Sequence, residues 1–280
     1  MPAAEGDQPM PYHRRNEAGD PPSYSRSRPP DDSGAIPRVP WTYAQTIRGA
    51  LATLLPWVAF AVVSQLGSSG QKAASRPLPR GQDLAGGVSF FIFTIILEGA
   101  FVIAPFYYAL SKRAPGVTVR DGLYGLGFRR TALGPAIAWV VGGLIVVLLG
   151  SDLYAIIVHA LNLHALTNTD TLLQEAKTMP LTVIGALAGS VFVAPLCEEI
   201  FFRGFLFGGL LRGMRPVVAV VVSALLFAIA HALIGSFAPL LLIGLVLAVV
   251  RWRTGSLWPG MALHLCNNAL ATILVISALK

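Results

Sequence analysis

Charge is scarce in this chain. Asp, Glu, Lys and Arg make up 12% of its 280 residues and 54% are hydrophobic, whereas an average soluble domain is about 25% charged. That shortage excludes an ordinary water-soluble globule and leaves an integral membrane protein. Cysteine is scarcer still. Cys197 and Cys266 are the only two; both fall within apolar segments and neither resembles half of a loop-stapling framework, so a disulfide scaffold is excluded and both read as small buried hydrophobes. The pattern of a secretory signal peptide is also missing, because the first apolar run begins only near Gly49. The first helix is therefore expected to stay in place as an anchor.

What is present is a series of apolar runs. Stretches of the roughly 17–25 residues needed to span a bilayer lie near Gly49 to Leu66, Val88 to Leu110, Pro135 to Ile157, Leu181 to Leu211 and Leu257 to Leu279. Val217 to Ile234 and a shorter Ala238 to Val250 add two more. They predict an all-α integral membrane protein with about seven transmembrane helices, six to eight in all. Residues 1–44, rich in Pro, Ser, Asp and Arg, have no apolar periodicity to offset the entropy of ordering them and predict a disordered cytoplasmic tail. Within it, Pro21-Pro22-Ser23-Tyr24 fits the PPxY pattern that WW domains read, a pattern common by chance in Pro-rich tails. Residues 45–178 then hold the N-terminal membrane helices and loops, and 179–280 a C-terminal core.

Basic residues orient the chain. With the amino terminus in the cytoplasm, fifteen Lys and Arg fall on the cytoplasmic side, among them the runs Lys112 to Arg130 and Arg251 to Arg253, against five on the other side. The positive-inside rule then predicts a cytoplasmic N-terminus in a plasma membrane, with the Arg bias and Pro-rich tail pointing to a bacterial host. The net charge of +7 follows from topology and attraction to anionic lipid, and nothing in it calls for nucleic acid.

Against this apolar background a few polar residues stand out. Glu198, Glu199 and Arg203 are the only charged residues of the segment Leu181 to Leu211. A charge at the bilayer centre costs about 2.5–3.5 kcal/mol on insertion scales, so a cluster needs a compensating arrangement and usually a function. Glu199 and Arg203 are spaced i, i+4 and can neutralise one another, while Glu198 lies about 100° round an α-helix from Glu199 and is left to face a cavity. Pro195 is expected to bend the helix just before them. His231 and Glu198 each lie about sixteen residues from the turn at Met214 and Arg215, which puts them at one depth, roughly 24 Å along paired helices. Phe227 is i−4 to His231, and His264 and Asn268 are again i, i+4. Three helices thus bring Glu, His, His and Asn to one level.

Glu198-Glu199-Ile200-Phe201-Phe202-Arg203 reads EExxxR, Phe227 to His231 reads FxxxH and His264 to Asn268 reads HxxxN. In that order on successive membrane helices they resemble the three motifs of the CPBP intramembrane proteases, the Abi or CAAX-protease family, which includes the type II prenyl endopeptidases. The resemblance covers residues 181–279, and Gly122 to Arg130 is similar to a stretch of bacterial members. It implies an endopeptidase with a conical cavity inside the membrane, acting on membrane-embedded or lipid-anchored peptides or proteins. Peptide hydrolysis needs a base for water and donors for the oxyanion. Glu198 is the expected general base, with His231 holding the same water. His264 and the Asn268 amide are the expected oxyanion donors. Glu199, Arg203 and Phe227 support the site.

Other readings share these residues. A zinc-dependent version of the protease would take Glu198, His231 and His264 as three ligands, but the His-Glu-x-x-His signature is absent and no carboxylate is placed behind either histidine; the metal-free reading, with no cofactor, is favoured. A transporter would line its path with Glu198, Glu199 and Arg203, although no inverted repeat of the motif is visible. A silent scaffold remains the third alternative. Glu98 and Asp152, in earlier helices, are expected to be cavity or interface residues.

Overall fold

Lipid supplies no hydrogen bonds to a backbone, so an apolar chain of this kind has to satisfy its amides within helices. The computed structural model describes residues 39–68, 76–111, 118–163 and 175–277, and those residues are helical with no strand. Of the expected tail, residues 1–44, residues 1–38 with the PPxY pattern lie outside them, while Val39 and Trp41 are buried and the first helix begins at Tyr43. The helices are α1 (Tyr43–Ser68), α2 (Arg80–Leu110), α3 (Val119–Leu126), α4 (Leu133–Ala160), α5 (Pro180–Leu210), α6 (Pro216–Ala230), α7 (Phe237–Thr254) and α8 (Trp258–Ser277). A single 3-10 turn, Ile234–Ser236, precedes α7.

Each of the seven predicted apolar segments holds a helix among the described residues. Five helices among the described residues are long and apolar enough to cross a membrane: α1, α2, α4, α5 and Ile234–Thr254, the last being α7 with its 3-10 turn. The helix expected over Ala238 to Val250 is longer than its hydrophobic run, because Arg251 and Arg253 belong to its last turn, where cations favour the helix dipole. The helix expected over Val217 to Ile234 stops at Ala230. Its 15 residues measure about 22 Å, short of the roughly 30 Å hydrocarbon thickness.

α2 and α5 pack side by side and in parallel, and this pairing positions the site. The Asp83 carboxylate on α2 accepts the backbone N–H of Leu181 at 2.9 Å, that of Thr182 at 2.8 Å and the Thr182 hydroxyl at 2.9 Å. It thereby caps the orphan donors at the start of α5 from a neighbouring helix. Gly87 and Gly185 meet one turn later, where a Cβ on either would collide with the backbone of the other helix. Close approach through small residues is the usual way for membrane helices to gain packing. Further along, Phe101 of α2 packs at a tilt against Phe201 and Phe202 of α5, with centroids 5.2 and 5.6 Å away.

The end of the bundle at which α7 finishes is fastened by Arg251. Fully buried, it donates from Nε to the Arg203 carbonyl at 3.1 Å and from Nη2 to the carbonyls of Gly125 and Leu126 at 3.3 and 3.4 Å. One side chain thus joins α7 to α5 and to the C-terminal end of α3.

Candidate active site

α5 is not a uniform α-helix. Gly189–Val193 forms a π turn, α geometry resumes over Ala194–Glu198 with Pro195 near its start, and a second π segment runs Glu199–Leu206. Proline lacks an N–H and its ring crowds the carbonyl four residues back. The wider turn accommodates both, and Ala194 N–H reaches back to the Gly189 carbonyl. Around Pro195, where a bend was expected, the helix also widens. Such π turns are rare and occur often at functional sites; here they flank Glu198 on both sides.

Glu199 and Arg203 form the expected ion pair, Oε1 to Nη1 at 3.0 Å, with both side chains fully buried. Arg203 also donates to the Gly244 carbonyl of α7 at 3.2 Å and lies over the Phe227 ring, 4.4 Å from its centroid. Its charge is therefore spent on a carboxylate, a carbonyl and a ring face, deep in the protein.

Glu198 faces the two histidines. Its Oε1 is 3.8 Å from His231 Nε2 and its Oε2 is 3.8 Å from His264 Nε2. His231 donates from Nδ1 to the Phe227 carbonyl at 2.8 Å. A carbonyl can only accept, so the proton sits on Nδ1 and leaves Nε2 turned towards Glu198. His264 spans the acidic pair, its Nδ1 lying 3.4 Å from Glu199 Oε1. Phe227 packs against both imidazoles, at 4.7 Å from His231 and 5.8 Å from His264.

His231 is the C-cap of the short α6, so its imidazole stops within the depth of the long helices around it. Two side chains from elsewhere secure this end. Trp57 of α1 donates from Nε1 to the Ala230 carbonyl at 2.9 Å, and the Tyr154 hydroxyl of α4 donates to the Gly235 carbonyl at 2.7 Å. Between them Ala232 is held at φ +51°, a left-handed conformation that costs an L-residue about 1–2 kcal/mol.

Asn268 is arranged differently from the simplest expectation. Its amide donates to the Ser190 carbonyl in the first π turn at 2.8 Å, and its Oδ1 accepts from Asn267 Nδ2 at 3.2 Å. One amide hydrogen is thus committed to the protein and one is left. Glu198, His231, His264 and Asn268 line a single cavity of about 550 Å³, shared with Glu98 of α2 and otherwise largely apolar.

All seven residues picked out by spacing therefore meet in one place. Asp152 does not join them and is exposed on α4, and the half-buried Cys197 and Cys266 are absent from the cavity lining. Sequence reasoning missed Ser190, Asn267, Trp57 and Tyr154, which act through hydrogen bonds between distant helices and carry no spacing signal. Glu98 had a signal, as an acid within an apolar run, but no partner to place it. Among the described residues no group of three or more His, Cys, Asp and Glu is arranged to hold a metal ion. Glu199 Oε1 stands 3.4 Å behind His264 Nδ1, a carboxylate behind a histidine where the residue spacing had led none to be expected.

Residues 180–270 match the family model described as type II CAAX prenyl endopeptidase Rce1-like. A Bacillus subtilis (strain 168) protein named "Putative membrane peptidase YdiL" is 22% identical over 226 residues, which is 80% of this chain and 84% of that protein. No solved structure matches the chain.

Proposed function

We propose that this membrane protease, whose residues 180–270 match the Rce1-like type II CAAX prenyl endopeptidase family, hydrolyses peptide bonds of membrane-embedded or lipid-anchored substrates inside the bilayer. The observation that carries the reading is Glu198, buried, lining a cavity and presenting each carboxyl oxygen to a different imidazole at 3.8 Å. That separation is too long for a direct hydrogen bond and suits a water held beside the line from Glu198 to His231.

In the proposed reaction Glu198 takes a proton from this water, and its oxygen adds to the scissile carbonyl carbon. The charge that develops on the carbonyl oxygen is met by the uncommitted amide hydrogen of Asn268 and by His264. The proton on Glu198 then passes to the leaving nitrogen, the C–N bond breaks, and a carboxylic acid and an amine are released. Glu199 and Arg203 hold His264 and the helix in place, with Phe227 as the floor. Residues 179–280 form the catalytic core in this reading, residues 45–178 complete its membrane bundle, and α6 and α8 join the five longer helices as membrane segments. The Lys and Arg bias puts the N-terminus in the cytoplasm.

Purified wild type and Glu198→Ala, matched for thermal unfolding, test the proposal against a quenched fluorescent peptide library. Cleavage by wild type alone, unaltered by a chelator, is expected. Equal signal from both proteins sinks Glu198 as the base, and chelator-sensitive cleavage restored only by zinc replaces the base with a metal.

A further inference from the structure

One carboxyl group in the cavity has no task in this reaction. Glu98 is 7% exposed, its Oε2 is buried without a hydrogen-bond partner, and no Lys, Arg or His among the described residues is within ion-pair distance of it. The other ionisable groups nearby face one of opposite kind, Arg203 the Glu199 carboxylate at 3.0 Å and Glu198 two imidazoles at 3.8 Å, whereas Glu98 faces no basic side chain among the described residues. Burying a polar group without a partner costs roughly 2–7 kcal/mol, which makes an unpartnered acid in a cavity wall a place where a ligand group is missing.

The position of Glu98 says what kind of ligand. Phe90, Thr94, Glu98 and Phe101 line the cavity from α2 at spacings of four, four and three residues, which is one stripe of one helix face. Thr94 packs on Gly189 of the first π turn, where an added Cβ would come within 2.8 Å of Thr94 Cγ2, and Phe101 packs on Phe201 and Phe202. Glu98 lies between these contacts and hence at the level of Ala194 and Glu198. The cavity therefore has a hydrolytic wall on α5, α6 and α8 and an opposing wall on α2. That opposing wall is apolar except for a threonine whose hydroxyl is bound to its own helix, donating to Phe90 O at 2.9 Å, and one acid.

We propose that Glu98 is a specificity residue that receives a cationic side chain, Lys or Arg, of the substrate peptide next to the scissile bond. The inference rests on the peptidase reading for the word substrate, but its recognition step is separable from catalysis. A cationic group would bring the donors that Glu98 Oε2 lacks and would favour its ionised form, and a neutral aliphatic side chain would leave the acid buried and unpartnered.

The test uses full-length protein and peptides identical except at one scanned position, occupied by Lys, Arg, norleucine or Glu. Cleavage is measured with wild type and Glu98→Gln, and binding is measured by fluorescence anisotropy on Glu198→Gln with and without Glu98→Gln. The expected result is a kcat/KM for Lys or Arg peptides at least tenfold above norleucine at one position, with that ratio falling towards one in Glu98→Gln, and the same ranking in binding. Selective binding that depends on Glu98, with no cleavage by wild type, upholds this inference and sinks the peptidase reading. Cleavage or binding with no preference for the cationic peptides overturns the inference from wild type alone, whatever the folding of the variants. So does a preference that Glu98→Gln leaves in place, and so does a failure of all the peptides to bind.

Discussion

His264 Nδ1 lies 3.4 Å from Glu199 Oε1, the same oxygen that Arg203 Nη1 approaches at 3.0 Å. The second glutamate of the acidic pair is therefore occupied on both sides, by a guanidinium below and an imidazole beside it, and the first is left to the cavity. Adjacent residues of one type thus face different partners, Glu199 the buried ion pair and Glu198 the cavity.

The buried pair sets a stability prediction. Removing one partner of a buried ion pair costs about 3–5 kcal/mol, whereas replacing both with apolar groups of similar size is often close to neutral. Glu199→Leu is expected to lower the unfolding temperature in detergent strongly, and Glu199→Leu with Arg203→Met to recover most of that loss without recovering cleavage, since His264 has then lost its anchor. Equal destabilisation of the single and double variants would contradict this account of Glu199.

Tyr154 predicts an effect at a distance. Its hydroxyl donates to the Gly235 carbonyl at 2.7 Å in the connection that follows His231. Tyr154→Phe removes one hydrogen bond, worth about 0.5–1.5 kcal/mol, and releases the segment that sets the imidazole. Cleavage should fall several-fold with KM nearly constant, because the loss is in the placement of a reacting group. A change confined to thermal stability would reduce Tyr154 to a structural tie.

Ala232 offers the reverse case, a residue whose conformation favours another type. At φ +51° glycine is relieved of Cβ strain, although it also loosens the unfolded chain, so Ala232→Gly should be within about 1 kcal/mol of wild type and keep its cleavage rate. Ala232→Val adds a β-branch to a left-handed residue and should lower both stability and turnover. Thermal unfolding and cleavage assays on the pair read the difference directly, and a tolerated valine would mean that the turn has another accessible conformation.

Much of this arrangement was legible because it depends on local spacing. The i, i+4 relations of Glu199 with Arg203, Phe227 with His231 and His264 with Asn268 are properties of a helix face, and the common depth of Glu198 and His231 follows from counting residues back to one turn. The helix over Ala238 to Val250 was read too short because hydrophobicity ends before hydrogen bonding does. The π turns of α5 were not legible, since no residue spacing marks where a proline-containing helix takes in a wider turn. Glu98 could be noticed but not placed, because its meaning depends on α2 lying parallel to α5, a long-range pairing secured by Asp83 and two glycines.

The remaining prediction concerns Asn268, where the structure modifies the simplest chemical reading. Its side-chain nitrogen carries two hydrogens, one of them given to the Ser190 carbonyl at 2.8 Å, and its oxygen accepts from Asn267 at 3.2 Å. These bonds fix the amide plane, so the second hydrogen has a defined direction and its orientation costs nothing when charge develops on the substrate. Loss of one such donor lowers kcat by about 10²–10³ at a well-studied oxyanion site, and a fall of that order is expected for Asn268→Ala. Asn268→Asp is the sharper variant. It keeps the shape but replaces both donor hydrogens with an oxygen facing the Ser190 carbonyl and the developing oxyanion, so it should be no more active than the alanine variant. If Asn268→Asp retained turnover while Asn268→Ala lost it, the residue would be acting through its oxygen and its hydrogen bond with Asn267, and the oxyanion role would pass to His264 alone.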